Sequence, residues 1–492
     1  MFCVNNFVME SIWKKDIAKT AGDAERIPGV NGVAVNRSII VIGGGIAGIL
    51  CAYMLSESGH KVTLIEAETL LSGVTKNTTA HINALQGKYS DIPTNKKRRL
   101  YYKSQIEAVC GIEETVKKHN IDCDFKRLDS FLFGGIKSRR TLKKEYLLMK
   151  KAGAPVEYSE NSESPFGNFS AIKLGEQAIF NPVRFLQGIP KNFEIIENAR
   201  IKKVCLAKKT LKTEDCVFKA DKIILATNFP IVNIRGLYAF KMYKSFSYAI
   251  NVRSQIKLNA IFNSIEDDGL TYRDSENGII TGGLDHRTGR AKHCDKFVQL
   301  KERAAAFGTE ITNKWAANDC VTFDGVPFAG KFKRLCRGVF IISGFGKWGM
   351  TNAFAAAKTV ADLVSEKKNE YAGIFKPAKI YNIKVWHKIL INAFYDVYNL
   401  IKSFFCVTFK TPRSLKKGQG GIVGYRFRKR AVYKDESGDL HVLASRCPHM
   451  RCQLKFNPNT KTWDCPCHGS RLTVSGQIIT APAVSSNEIE RI

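Results

Sequence analysis

The stretch from Ser38 to Glu66 constrains the fold of this chain most. Ser38-Ile39-Ile40-Val41-Ile42 is an uninterrupted apolar run, and Gly43-Gly44-Gly45-Ile46-Ala47-Gly48 follows it as G-x-G-x-x-G. Ile49 to Ser58 then reads as a helix closed by Gly59, and Lys61 to Ile65 as a second strand. Strand, glycine turn, helix and strand in that order open a doubly wound parallel sheet. Gly43 permits the tight turn, Gly45 lets the backbone approach a pyrophosphate, and Gly48 lets helix and strand pack closely, with the helix N-terminus at the phosphates. Glu66 ends the second strand 23 residues after Gly43, where a carboxylate accepts from adenosine ribose hydroxyls. The fingerprint specifies a dinucleotide and does not separate NAD from FAD.

At 492 residues the chain exceeds what one core can fill, so at least two domains are expected. Residues 1 to 36 read as an irregular extension with a short segment around Trp13. Residues 100 to 118 look helical, and 120 to 180 alternate short apolar runs with turns. Asp221 to Asn228 returns to a buried strand. Residues 240 to 330 are strand-rich with a helix around Phe297 to Phe307. Val339 to Ser343 is another buried strand, leading into a glycine turn and the helix Thr351 to Ser365. The main domain therefore spans 37 to 377, with a dinucleotide part split over about 37 to 95, 175 to 230 and 325 to 370 and a substrate part between. Residues 378 to 410 place Ile383, Trp386, Ile389, Leu390, Phe394, Val397 and Ile401 at helical spacing, an amphipathic linker helix. It has two readings: docking on its own domains, or lying in a membrane interface. Residues 418 to 492 form a small strand-rich domain.

That terminal domain carries Cys447-Pro448-His449 and Cys465-Pro466-Cys467-His468, C-x-H followed by C-x-x-H. Two thiolates and two imidazoles on two loops hold either one zinc or a [2Fe-2S] cluster, and the spacing alone leaves both open. Four of the 14 cysteines crowd into Cys447 to Cys467, and the rest are scattered, as in a reducing cytosol. Asn5, Asn6 and Glu10 interrupt any secretory h-region, and no apolar stretch is long enough to span a bilayer, so the expectation is a cytoplasmic protein, with membrane association at the inner face as its variant. The net charge of +31 favours acidic partners such as an anionic redox protein. No nucleic-acid motif accompanies the basic runs Lys96 to Arg99 and Arg426 to Arg430, which read as solvated surface, and a nucleic-acid partner is not expected.

The surroundings of the four ligands, CPHMRC and WDCPCHGS with Gly476 and Pro482 downstream, resemble the Rieske proteins of cytochrome bc-type complexes. That resemblance implies a [2Fe-2S] cluster with Cys447 and Cys465 on the inner iron and His449 and His468 on the outer one. It also implies a disulfide between Cys452 and Cys467 and a sulfur-directed hydrogen bond from Ser470. Leu472 stands where the high-potential respiratory members have tyrosine, and Ala481 where a glycine usually precedes the proline, so a lower potential is expected.

The rest of the chain resembles the FAD enzymes of the D-amino-acid oxidase type, glycine and sarcosine oxidase relatives, and in particular bacterial fusions of that fold to a Rieske domain. The matching pieces are VIGGGIAGILCAYMLSESGHKVTLIEA, TKNTTAH, FNPVRFLQGI, DKIILATNFP, GGLDHRTG, DGVPFAGK and GFGKWGMTNAFAA. The resemblance implies an α/β Rossmann-like FAD-binding domain with a mixed-sheet substrate domain, plus a small all-β Rieske domain. In such a fold Gly43, Gly45, Ile46, Ala47, Gly48, Glu66 and Ala67 meet the dinucleotide, and Ser72, Thr75, Thr78, Thr79 and Ala80 wrap the flavin. Ile201 contacts adenine through its backbone, and Ala226 and Thr227 end a neighbouring strand. Gly344, Gly346 and Gly349 form a second G-x-G-x-x-G without a following acidic strand end. They are assigned to the flavin together with Lys347, Trp348, Met350 and Thr351, their helix N-terminus stabilising charge on the reduced ring. Lys347 reads either as an aid to reoxidation or substrate binding or as a plain surface lysine, and no catalytic base is named. His81 and His286 read as structural hydrogen-bonding residues. The implied activity is oxidation of a small amine or amino acid through FAD, with electrons leaving through the cluster to an external acceptor. The alternatives are an NAD(P)H-linked Rieske reductase and a non-enzymatic basic redox sensor.

Overall fold

A computed structural model describes residues 9–17, 34–162, 167–232, 236–291, 294–333, 336–378, 383–405, 411–425 and 428–487. Parts of the expected N-terminal extension, of the linker and of the run Arg426 to Arg430 lie outside these residues. Ala34–Ile42 is the central strand of the first sheet, flanked in parallel by Val62–Ile65 and Val217–Leu225. Glu194–Ile196 extends it in parallel on one side, and Val339–Ser343 on the other, before antiparallel Phe328–Lys331. Ile39 to Ile42 are buried, because helices cover a parallel sheet and both faces must be apolar. Ile42 pairs with Ile65 and with Leu225, and Leu225 with Ile341, so these strands end in register and open a crevice at their carboxyl ends. Helices Ile46–Glu57 and Gly349–Val364 pack together, and the run Ala353, Ala355, Ala356 and Ala357 keeps the second one slim.

Nine strands make the second sheet, in the order Ile311–Thr322, Met242–Arg253, Gly278–Arg287, Thr271–Ser275, Ala260–Ser264, Lys126–Gly134, Phe169–Ile179 and His81–Ile82, with Glu157–Ser162 paired to Phe169–Ile179. It is mixed, Ala260–Ser264 running parallel to Lys126–Gly134. Three sequence expectations change. The segment 120 to 180 contains a helix, Arg139–Lys151, whose many basic residues left a thin apolar stripe of Leu142 and Met149. The helix expected from residue 100 begins at Asn95, where the Thr94 hydroxyl accepts from the Lys97 amide. The described residues of the N-terminal extension have regular structure: Ile12–Asp16 is a 3₁₀ turn burying Trp13, and residues 34 to 36 already belong to the central strand.

Helix Ile383–Phe405 leads to the terminal domain, two small antiparallel sheets: Gln419–Tyr425, Arg428–Lys434 and Leu440–Ala444, then Lys455–Asn457, Thr462–Asp464, Arg471–Thr473 and Ile478–Thr480.

Candidate functional site

The crevice at the strand ends deepens into a cavity between the two large sheets. Gly43 turns the chain at φ 113°, and a Cβ on it would meet the Ala226 carbonyl oxygen at 2.5 Å. A Cβ on Gly48 would lie 1.8 Å from the Gly43 oxygen, so helix and turn approach only without a side chain. The helix begins at Gly45 with no side-chain cap, while the Ile46 amide donates to Thr75 Oγ1 at 3.1 Å. Glu66 accepts from the Gly44 amide at 2.6 Å and the Glu68 amide at 3.0 Å, which anchors its carboxylate at the cavity edge. The cavity lining includes Gly43, Gly45, Ile46, Ala47, Glu66, Ala67, Ser72, Thr75, Thr78, Thr79, Ile201, Ala226, Thr227, Lys347, Trp348, Gly349 and Met350. Five expected residues stand behind it. Gly48 backs Gly43, Gly344 packs on the Thr322 methyl, and the Gly346 amide donates to the Cys320 carbonyl. Thr351 is buried in hydrogen bonds with Gln86 and Asn83, and the buried Ala80 gives its carbonyl to Arg273. The loop that carries Thr75 to Thr79 is held by its own carbonyls: Trp13 Nε1 donates to Thr78, Trp315 Nε1 to Asn77, and Arg273 to Thr79.

The terminal domain presents two loops of one design. The Cys447 amide donates to the Cys452 carbonyl and the Cys465 amide to the Ser470 carbonyl, both at 2.8 Å. Each loop turns through a left-handed residue four positions after its cysteine, Arg451 at φ 62° and Gly469 at φ 73°. Cys447 and Cys465 are buried, and the rings of His449 and His468 meet edge to face with centroids 5.1 Å apart. Burial pushes His468 down to about 3, helped by His449 and Arg287, and His449 down to about 4, so both rings are in the neutral form that ligates metal. His468 Nδ1 is buried without a hydrogen-bond partner among the described residues. Two buried thiols and this ring nitrogen fit the donor set of a Rieske cluster. The sulfurs of Cys452, Cys465 and Cys467 lie within 4.8 Å of one another, but no bond joins Cys452 to Cys467. Both cysteines stand within reach of Cys465. Ser470 Oγ accepts from the Ala483 amide, and Leu472 is fully buried.

Residues 38–363 match the FAD dependent oxidoreductase family (DAO), and residues 407–490 the Rieske [2Fe-2S] domain. The chain belongs to the FAD-dependent oxidoreductase family. Its larger domain binds FAD, and its terminal Rieske domain binds a [2Fe-2S] cluster. It is similar to the Rieske 2Fe-2S iron-sulfur protein YhfW of Bacillus subtilis, 30% identical over 96% of each chain. Its fold is similar to that of glycine oxidase from Geobacillus kaustophilus, with a TM-score of 0.60, 16% identity, and coverage of 71% of this chain and 100% of that one. The Rieske domain is similar to cytochrome b6-f complex iron-sulfur subunit 3 of Nostoc, 34% identical over 14% of this chain and 38% of that subunit.

In this oxidoreductase the Rieske domain is seated on the FAD domain by the tip of its cluster loops. Asn318 Nδ2 donates to the Gly469 carbonyl at 3.1 Å and to Thr480 Oγ1 at 3.3 Å. The Lys296 amide donates to Asn459 Oδ1, and the Arg471 guanidinium lies 4.3 Å from the centre of the Phe246 ring. A Cβ on Gly469 would meet the Lys244 side chain, and one on Gly289 would meet Pro466 Cα at 2.5 Å. Ile479, Thr480, Ala481, Ala483 and Val484 of the Rieske domain therefore complete one wall of the FAD-domain cavity.

Sequence reasoning named Glu66 and Lys347 but missed Lys244, Asp285 and Asp319 inside that cavity. Lys244 is 2% exposed, and burial pushes its ammonium down. Burial also pushes Asp319 up to about 6, against the pull of Lys347, and Asp285 pairs with Lys347. Lys244 stands at the period-two spacing of the apolar Phe246, Tyr248, Ile250 and Val252 in strand Met242–Arg253, which was the available signal for it. Lys347 is thus an ion-paired cavity residue at φ 71°, not a plain surface lysine. His81 also lines the cavity; burial and then Arg273 push it down to about 3, and Thr271 is its hydrogen-bond partner. His286 bonds Tyr248 and the Arg287 carbonyl outside the cavity, a structural role.

Proposed function

We propose that this protein oxidises a small amine or amino acid at FAD and passes the electrons through its Rieske cluster to an external acceptor. The shared wall carries the reading: the third loop of the Rieske domain, residues 479 to 484, closes the cavity that the FAD fingerprint opens. FAD supplies two-electron oxidation with release of single electrons, and the cluster supplies one-electron transfer. Gly43, Gly45 and the uncapped helix start at Ile46 would hold the pyrophosphate and Glu66 the ribose, while the pinned loop from Ser72 to Thr79 and the turn from Lys347 to Met350 would enclose the flavin. Cys447, His449, Cys465 and His468 would hold the cluster.

The charges in the cavity support a small zwitterionic substrate. Lys244 offers a desolvated cation to a carboxylate, and Asp319 with Asp285 offers acceptors to an ammonium. Asp319, at about 6, is poised to exchange a proton near neutrality. The Rieske residues narrow the cavity on their side, and a lower local dielectric there would strengthen each of these contacts. The net charge of +31 supports an acidic electron acceptor. The test is anaerobic mixing of the holoprotein with amines, amino acids and hydroxy acids, following flavin absorbance and the cluster EPR signal together. Bleaching of the flavin followed by reduction of the cluster is expected; a cluster that stays oxidised while the flavin is reduced would end the proposal.

A further inference from the structure

Helix Ile383–Phe405 lays one face on the fold and leaves a second, apolar face exposed. Val385, Ile389, Asn392 and Asp396 repeat at helical spacing and are buried, Val385 and Ile389 packing with Phe323. Leu400 continues this face onto the Rieske core. On the opposite side, Ile383, Trp386, Leu390, Phe394, Val397 and Ile401 repeat at the same period and all are exposed, Ile383 at 85%, Leu390 at 63% and Phe394 at 76%. A surface helix ordinarily sets polar residues there. The short helix Tyr238–Lys241, which packs against it, leaves Phe240 and the preceding Leu237 exposed as well.

We infer that this outer face docks on an anionic lipid bilayer, the helix lying in the interface plane. Charge selects that occupant. The helix carries Lys384, Lys388 and Lys402 and a single carboxylate, Asp396, which faces inward. By helical spacing positions 384, 388 and 402 fall along one border of the apolar stripe, and Lys388, half exposed, shares its ammonium with Asp91 at 3.0 Å, so the basic border flanks the side from which Trp386 and Phe394 would enter the acyl boundary of an anionic surface. A second copy would bring two chains of +31 together on lysine-bordered faces, which like-charge repulsion opposes. No described helix is long and apolar enough to cross a membrane, so the helix lies on the surface. Its inner face is next to the cluster domain, the Asp396 carbonyl standing 3.9 Å from Cys467 Sγ. Docking would therefore bring the Rieske domain close to the bilayer. The inference does not depend on the electron relay, because binding is read without turnover.

The test uses the full-length holoprotein with vesicles of phosphatidylcholine containing phosphatidylglycerol, and of phosphatidylcholine alone. Flotation with the anionic vesicles alone is expected, with a blue shift of tryptophan emission that Trp386→Phe removes. Trp13, Trp315 and Trp463 are buried and Trp348 lines the FAD-domain cavity, so the shift that Trp386→Phe removes is assigned to Trp386. The double variant Leu390→Gln/Phe394→Gln should weaken binding roughly 100-fold, as two side chains lose their burial. Three results would overturn the inference: no flotation, flotation unchanged in the double variant, or a dimer in solution that the same variant dissolves.

Discussion

Gly289 sets how closely the two cofactor domains approach. It sits at φ 75°, and a methyl group there would lie 2.5 Å from Pro466 Cα and 2.9 Å from the Cys465 carbonyl carbon, all backbone that cannot rotate away. In Gly289→Ala the left-handed conformation costs about 1–2 kcal/mol whether or not the Rieske domain is seated, so it lowers stability and leaves docking untouched. The clash exists only in the docked state. Overpacking of this kind costs about 1–3 kcal/mol, which shifts the docked-to-undocked ratio by about 5- to 150-fold. The assay is flash photoreduction of the flavin in the oxidised holoprotein, with cluster absorbance followed in time, so no substrate is needed. The fraction of molecules that reduce their cluster in the fast phase should fall, while flavin and iron contents stay normal. Gly59→Ala is the control, since Gly59 has φ 81° but nothing within 4 Å of its Cβ position. An unchanged fast phase in Gly289→Ala would refute the claim that this contact carries the transfer.

Other expectations are equally direct. Gly48→Ala drives a Cβ to 1.8 Å from the Gly43 oxygen and should yield protein without flavin absorbance but with its cluster intact. Arg471→Met leaves Asp464, 1% exposed, without its cation, and should cost about 3–5 kcal/mol in denaturant unfolding of the Rieske domain, whereas a loss under 1 kcal/mol would mark the pair as unimportant. Asp396 is pushed up to about 7 by burial, against Arg287 and Arg290 and the Asn392 amide. Its folded pKa is above its unfolded one, so its destabilising contribution is absent below about pH 4, grows as pH rises through 7, and reaches about 4 kcal/mol at most. Asp396→Asn should flatten the fall in melting temperature between pH 5 and 8.

The backbone of the flavin site was legible because its signals are local. The fingerprint from Gly43 to Gly48 and the end of the strand at Glu66 lie within one unit of chain, and steric limits leave few ways to build it. The loop designs around Cys447 and Cys465 were legible for the same reason. Lys244, Asp319 and the pairing of Asp285 with Lys347 were not, because each is one charged residue in a strand whose inward direction depends on the register of a nine-stranded sheet. The helix Arg139–Lys151 was missed since basic residues hide its periodicity. In the helix Ile383–Phe405 apolar residues fall on more than one side, and the covered side includes Asn392 and Asp396, so sequence alone could not choose which side is covered.

Because residues 479 to 484 belong to one domain and the cavity they close belongs to the other, neither half is whole by itself. Cut at the linker, the larger fragment would keep its nucleotide crevice but have a gap in its wall, letting solvent reach the reacting centre. The smaller fragment would expose Gly469 and Pro466, the surface it now keeps covered. In the proposed relay, selectivity for substrate and the route of electrons would be written in the same few residues, so that a change to either would be judged by its effect on both.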